Sequence, residues 1–251
     1  MLVGPARRTL AAAAGAVQAV QAVARGERGH LHVGLQSGAG GDLPHRVFTA
    51  FGRRLPGADL DFHYFAWTDS SVGLRSGATE VAFVRPPITG ELEFLPLFSE
   101  PRVAVLPAGH PLAGEPDLSV ADLLDEVWCQ LPAGDPVWRD FWLAAEHRDA
   151  QPAKTGPVMT SLEEQFQYAL AGAGISLAPQ SVTQDYGRPG IAFVPVRDLE
   201  PSMAALAWPR GQDNPLVRQF VAVAAEVRDH EAKAGRLPGR AAKVAPSQRP
   251  Q

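Results

Sequence analysis

From residue 30 onward the chain switches between two periodicities. Apolar and polar positions alternate over 30–36, where Leu31, Val33 and Leu35 share one side of a predicted strand. Gly38, Gly40 and Gly41 form a turn, and Asp42 stands as N-cap to a helix over 43–54 that Pro56 and Gly57 break. A second strand is expected over 60–65, then a short helix capped by Asp69 or Ser70 and ending at Gly77. A third, buried strand over 80–84 stops at Pro86 and Pro87. The alternation then resumes, with strands over 102–106, 128–131, 155–159 and 174–178. Helices separate them over 118–127, 137–146 and 161–171, the last with Leu162, Phe166 and Leu170 on one face. Strands over 191–195 and 202–208 and an amphipathic helix over 215–228 close the pattern. Strands alternating with helices predict parallel βαβ units in two α/β lobes, with crossings near 102–107 and 204–209.

The two ends read differently. Residues 5–24 are Ala-rich, start at Pro5 and place Leu10, Val17, Val20 and Val23 at helical spacing. So few large apolar groups cannot hold a helix alone, which predicts packing against a partner helix such as a second copy of itself. A signal peptide is the rival reading, but Gln18 and Gln21 interrupt the apolar stretch and Arg25, Glu27 and Arg28 end it. Residues 25–29 read as a flexible joint. At the other end, Lys233, Arg236, Arg240, Lys243 and Arg249 stand among Ala, Gly and Pro with no acid, which predicts a disordered basic tail. The expected organisation is a linker and dimerisation helix with its joint (1–29), lobe one (30–103 and 209–228), lobe two (104–208) and the tail (229–251).

Composition narrows the function classes. Hydrophobic residues make up 45% of the 251 and charged ones 20%, enough apolar mass for a two-lobed core. No apolar run reaches the roughly 20 residues of a membrane helix. A single cysteine, Cys129, precludes an intrachain disulfide or thiolate metal cluster, fits a reducing cytoplasm, and sits in an apolar strand as a core thiol. The net charge is −4, so without the +5 tail the remaining chain carries −9. An acidic body repels phosphate and makes this chain by itself a poor DNA binder.

Catalytic and cofactor motifs fail one by one. His30 and His32 lie close, but no sulfur or acid is near them in sequence, so no metal is expected. Ser37 in GLQSG and Ser76 in GLRSG lack the G-x-S-x-G spacing of a nucleophile elbow. The glycine turn resembles a dinucleotide loop, with Asp59 and Asp61 about twenty residues on. It lacks the third glycine, however, and both aspartates stand at the start of strand two instead of its far end. Without a following Lys the P-loop reading fails too, and no cofactor is implied. The turn serves either as an anion or polar-ligand pocket at a helix N-terminus or only as a tight turn.

Open α/β sheets hold ligands at the carboxyl ends of their strands. That geometry would gather Ser37, the Trp67–Thr68 turn, Phe83, Val84 and Arg85, Pro132 and Thr160 around one cleft, as a binding site with no acid–base pair. Arg85 has the fork to grip a ligand carboxylate, or it forms a structural salt bridge with a neighbouring acid.

Four stretches in order, EVAFVRPP (80–87), PRVAVLPAGHPLA (101–113), LSVADLLDEVWCQL (118–131) and ALAGAGISLAP (169–179), resemble the effector-binding half of a LysR-type transcriptional regulator. The likeness runs from about residue 30 to about 228, and the 5–24 helix is similar to the end of the family's linker helix. The resemblance implies a periplasmic-binding-protein type 2 fold of two Rossmann-like lobes, and no enzymatic activity. Ser37, Gly38, Thr68, Phe83, Arg85, Pro132, Met159 and Thr160 would line the effector cleft, with Trp67 as a bulky departure that narrows it. It further implies a small-molecule effector, homodimers or tetramers, no membrane, and promoter DNA reached only through a winged helix-turn-helix expected ahead of the linker helix and missing from this chain. A transporter's solute-binding protein shares the fold but would want a signal peptide or lipobox cysteine; an enzyme on the same scaffold would need a catalytic set.

Overall fold

The computed structural model describes residues 28–148 and 153–241, together with Ala13, Val17, Val20 and Gln21. Its first lobe is built on a six-stranded mixed sheet. Strand β1 (Gly29–Gln36) runs parallel between β2 (Ala58–Phe65) and β3 (Val81–Val84), with helix α1 (Leu43–Arg54) as the crossover from β1 to β2. Beyond β3 the sheet continues antiparallel through β10 (Ser202–Pro209), β4 (Leu92–Glu100) and the short β11 (Arg240–Ala241). Helix α1 and the closing helix α5 (Pro215–Lys233) lay their apolar stripes on one face of this sheet. Phe51 and Phe83 flank Phe220 there, with ring centroids at 5.3 and 6.2 Å. The opposite face carries the 66–79 segment, and Gly34 lets it approach: a Cβ at that position would lie 2.4 Å from the Val72 carbonyl.

The second lobe sets β5 (Arg102–Pro107) between β8 (Ser176–Pro179) and β9 (Ile191–Pro195), antiparallel to both. Beside it β6 (Val127–Gln130) pairs parallel with β7 (Lys154–Val158). Helices α2 (Pro136–Trp142), α3 (Leu162–Leu170) and the single turn α4 (Val182–Asp185) complete the lobe. Its core gathers on Trp128, whose indole N–H donates to the Leu123 carbonyl at 2.9 Å. Cys129 is buried in the same strand, and burial pushes its thiol up to about 11.

Two crossings join the lobes, β4 to β5 and β9 to β10. Arg102, wholly buried, ties them together: its Nε donates to the Glu200 carbonyl at 2.8 Å and its guanidinium stacks 4.0 Å over Phe141. Burial pulls that guanidinium down to about 10, opposed by Glu146.

Several expectations are corrected by tertiary context. Only β6 with β7 forms a wholly parallel sheet: the six-stranded sheet is mixed, because β10, β4 and β11 return antiparallel, and the β8–β5–β9 sheet is antiparallel throughout. Strand β4, with Pro96 inside it, escapes the sequence pattern. The second crossing precedes Ser202, so the strand expected in lobe two up to residue 208 pairs within the first lobe's sheet. The 118–127 helix is one 3₁₀ turn at Val120–Leu123, and the helix expected over 137–146 ends at Trp142. Residues 70–77 form successive turns around Asp69, which accepts from Ser71 N and Oγ and from Gly73 N. Asp42 precedes α1 without a side-chain cap bond. Order continues past residue 229, through Lys233 and on to the β11 pairing with β4. Residues 242–251 lie outside the described residues, as does the 5–24 helix apart from the four named positions, all helical.

Candidate functional site

The carboxyl ends of β1 and β3 face those of β6, β7 and β8 across a narrow cleft between the lobes. The cleft spans about 410 Å³, part of it open to solvent. Gln36, Ser37 and Gly38 from the end of β1, Trp67 and Arg85 form the first lobe's wall. Leu131, Trp138, Trp142 and Met159 supply much of the second wall, and Leu162, Gln165, Leu177, Pro179 and Val182 the rest. Three of the chain's five tryptophans therefore line this cleft. The Trp67 and Trp138 rings approach across it at 6.3 Å, and Trp67 N donates to the Thr160 carbonyl at 2.7 Å.

At the hinge, Arg85 makes a buried hub. Its Nη2 lies 2.6 Å from Glu100 Oε1, its Nη1 donates to Ser202 Oγ at 2.9 Å, and its Nε donates to the Gly38 carbonyl at 2.7 Å. Glu100 accepts in turn from Ser181 N and Oγ in the second lobe. Burial pulls the Arg85 guanidinium down and the Glu100 carboxylate opposes it. Arg85 thus makes the salt bridge, with its guanidinium at the cleft wall but committed to protein partners.

On the opposite rim Asp135 bridges the lobes. One carboxylate oxygen accepts from Ser70 Oγ at 2.7 Å, Thr89 N at 2.9 Å and Thr89 Oγ1 at 3.1 Å; the other caps α2 through Trp138 N. Burial on its own would raise the Asp135 carboxyl, but these bonds outweigh it and hold the group below its ordinary range. The residue that joins the lobes thereby also aims the helix carrying Trp138 and Trp142.

Of the residues expected at the cleft, Ser37, Gly38, Trp67, Arg85 and Met159 line it. Phe83 is instead buried in the first lobe's core, where α1 and α5 cover its side of the strand. Thr68 and Pro132 stand outside the lining, and the Thr160 hydroxyl turns to Glu164 Oε2 at 2.8 Å in the cap of α3. Glycines 38, 40 and 41 all take positive φ, the backbone a tight turn needs. Sequence reasoning missed Gln36, Trp138 and Trp142. Trp138 and Trp142 recur four apart on one face of α2, a spacing that reads as core until the helix is placed at the cleft.

The parallel register of β1 and β2 sets His30 beside Asp59 and His32 beside Asp61. His32 Nδ1 also lies 3.3 Å from His63 Nε2, yet among the described residues no group of three or more metal-ligating side chains converges.

Comparison with known proteins places this geometry. The model of the LysR substrate binding domain matches residues 24–229. The Hca operon transcriptional activator HcaR of Escherichia coli (strain K12) is 30% identical over 205 residues, covering 78% of this chain and 67% of HcaR. Among solved structures, full-length CbnR complexed with its target DNA superposes with a TM-score of 0.66 at 21% identity, covering 91% of this chain and 81% of that one. The effector binding domain of QuiR in complex with shikimate gives 0.66 at 16% identity, covering 81% and 98%. These two likenesses establish the two-lobed periplasmic-binding-protein type 2 fold.

Proposed function

Since the chain belongs to the LysR substrate-binding domain family, we propose that it senses a small-molecule effector held between its lobes and passes the event to a separate winged helix-turn-helix that reads promoter DNA. The observation that carries this reading is the cleft itself: both lobes wall it, and they are linked beside it by Glu100, which holds Arg85 and accepts from Ser181, and by Asp135, which accepts from Ser70 and Thr89. A ligand that prefers one lobe spacing over another shifts the population by its differential affinity, and a dimer transmits that shift. Ser37, Gly38, Trp67 and Met159 are the effector contacts we assign; Arg85 stands at the same wall and holds the Gly38 carbonyl in place, while Thr68, Phe83, Pro132 and Thr160 lie outside the lining. The domain division is a linker and joint at 1–29 and two lobes split at the β4–β5 and β9–β10 crossings.

The site offers no nucleophile–base pair, which supports binding without turnover. Nor does Cys129 suit thiol sensing, since a buried thiol raised to about 11 is scarcely ionised near neutrality. Among the described residues no helix is long and apolar enough to cross a membrane. We place the protein in the cytoplasm as a homodimer or tetramer.

A thermal-shift and tryptophan-fluorescence screen of aromatic and aliphatic carboxylates, amino acids and sugars tests the proposal. A compound that stabilises the protein, quenches the cleft tryptophans and is recovered unchanged supports it. Product formation, or no compound altering the cleft fluorescence, refutes it.

A further inference from the structure

Residues 67–70 belong to the first lobe by sequence but are seated in the second. The partly buried Trp67 ring packs against both apolar clusters of that lobe, the one gathered on Trp128 and the one holding Val103 and Phe166. Among the described residues it joins neither cluster of its own lobe. Its backbone N–H donates to the Thr160 carbonyl at 2.7 Å. The Thr68 carbonyl lies so close to Gly134 that a Cβ there would stand 3.1 Å from it, and Ser70 Oγ donates to Asp135 at 2.7 Å. A ring, an N–H, a carbonyl and a hydroxyl of one short segment thus all end in the opposite lobe.

The root of this segment is fixed to the first lobe. Val72 is wholly buried with a φ of 56°, in the left-handed region that a β-branched residue avoids. Such a backbone persists only where its surroundings over-determine it, and here they do. Thr79 Oγ1 donates to the Val72 carbonyl at 2.8 Å, and that carbonyl faces Gly34, where no side chain stands in its way. The Asp69 carboxylate accepts from Ser71 N and Gly73 N on either side of Val72. A stiff root with an aromatic tip buried across the cleft has the build of a pawl.

We propose that residues 66–79 form a latch that holds the lobes together by seating the Trp67 ring in the second lobe and, resting on the sensing role above, that the effector acts by displacing this ring. Withdrawing the ring would expose apolar surface on the ring and on both clusters, so water favours the seated state. The ring also takes up room at the cleft, where it lines the cavity and approaches Trp138 to 6.3 Å. An effector that covers the same second-lobe surface replaces what the ring supplied and frees the segment. It then shifts the lobes by its differential affinity for the unlatched state.

Amide hydrogen exchange on the whole chain tests the latch without any effector. The Ser181 amide, which donates to Glu100 between the lobes, reports their separation. Trp67→Ala should speed its exchange about tenfold, while amides of β1 and β5, central in their sheets, change little. Trp67→Phe should stay close to the wild type. Indole should bind the Trp67→Ala variant in the vacated place and slow Ser181 exchange again, with no such effect on the wild type. Should Trp67→Ala fail to fold, Gly134→Val wedges the Thr68 carbonyl off the second lobe and should speed Ser181 exchange in the same way. Acceleration of all amides alike, or Ser181 exchange unchanged in both variants, overturns the latch, as does equal binding of indole to the wild type. An effector found in the wider screen should speed exchange of the Trp67 amide in the wild type; one that slows it overturns the displacement and leaves the latch standing. A screen without any effector overturns the sensing role, and displacement with it, while the variants still decide the latch.

Discussion

A guanidinium 2.6 Å from a carboxylate, both shielded from water, is costly to disturb from one side only. Arg85→Met strands the Glu100 charge in the hinge and should cost about 3–5 kcal/mol in urea denaturation, whereas the double variant with Glu100→Leu should recover much of that loss. Recovery failing to appear would mean that Ser202 and Gly38, not the charge pair, dominate at Arg85. Cys129 gives a second test at this scale. Its buried, proton-holding thiol should react with a thiol reagent only as fast as the lobe opens, and at full rate in denaturant; rapid labelling of the native protein would contradict its placement. Cys129 was readable as a core thiol because an apolar strand has one default use for it. Arg85 was not readable in the same way, since its choice between ligand and Glu100 depends on strands that meet only after folding.

Helix α2 is short, and its sequence alone gives it little reason to form; its cap and its neighbours decide. Asp135 supplies both, capping Trp138 N and accepting from Ser70 and Thr89 across the lobes. Asp135→Ala should therefore destabilise the protein by about 1–3 kcal/mol and weaken any cleft ligand, because the same helix presents two tryptophans. A variant with unchanged ligand affinity would dissociate the cap from the cleft. The helices with clear apolar stripes, α1, α3 and α5, were legible from spacing, and Ser161 capped α3 as expected, accepting from Glu164 N at 3.2 Å. The 118–127 and 137–146 segments read as longer helices than they are, because turns and crossings override propensity when neighbouring strands claim the backbone.

Across the whole molecule the carboxyls of Asp69, Asp135, Glu164 and Glu231 are all held below their ordinary range. Hydrogen bonds do this at Asp69 and Asp135 against opposing burial, Thr160 does it at Glu164, and Arg236 at Glu231. A carboxyl lowered in the folded state stabilises fully above its unfolded value of about 4, and that contribution is lost as pH falls through the lower folded value. Denaturation midpoints should accordingly stay flat with respect to these groups from pH 7 to 5 and decline below about pH 4; a decline already under way at pH 6 would contradict this. The two-lobed α/β organisation, the Ser37–Gly38 turn at the cleft and the acidic body without a metal or nucleotide motif were determined by local order alone, because periodicity and turn chemistry are written residue by residue. Strand order, the antiparallel returns, the point where the chain recrosses at Glu200 and the meeting of Gln36 with Trp138 and Trp142 were not, because pairing between segments a hundred residues apart leaves no local periodicity to read.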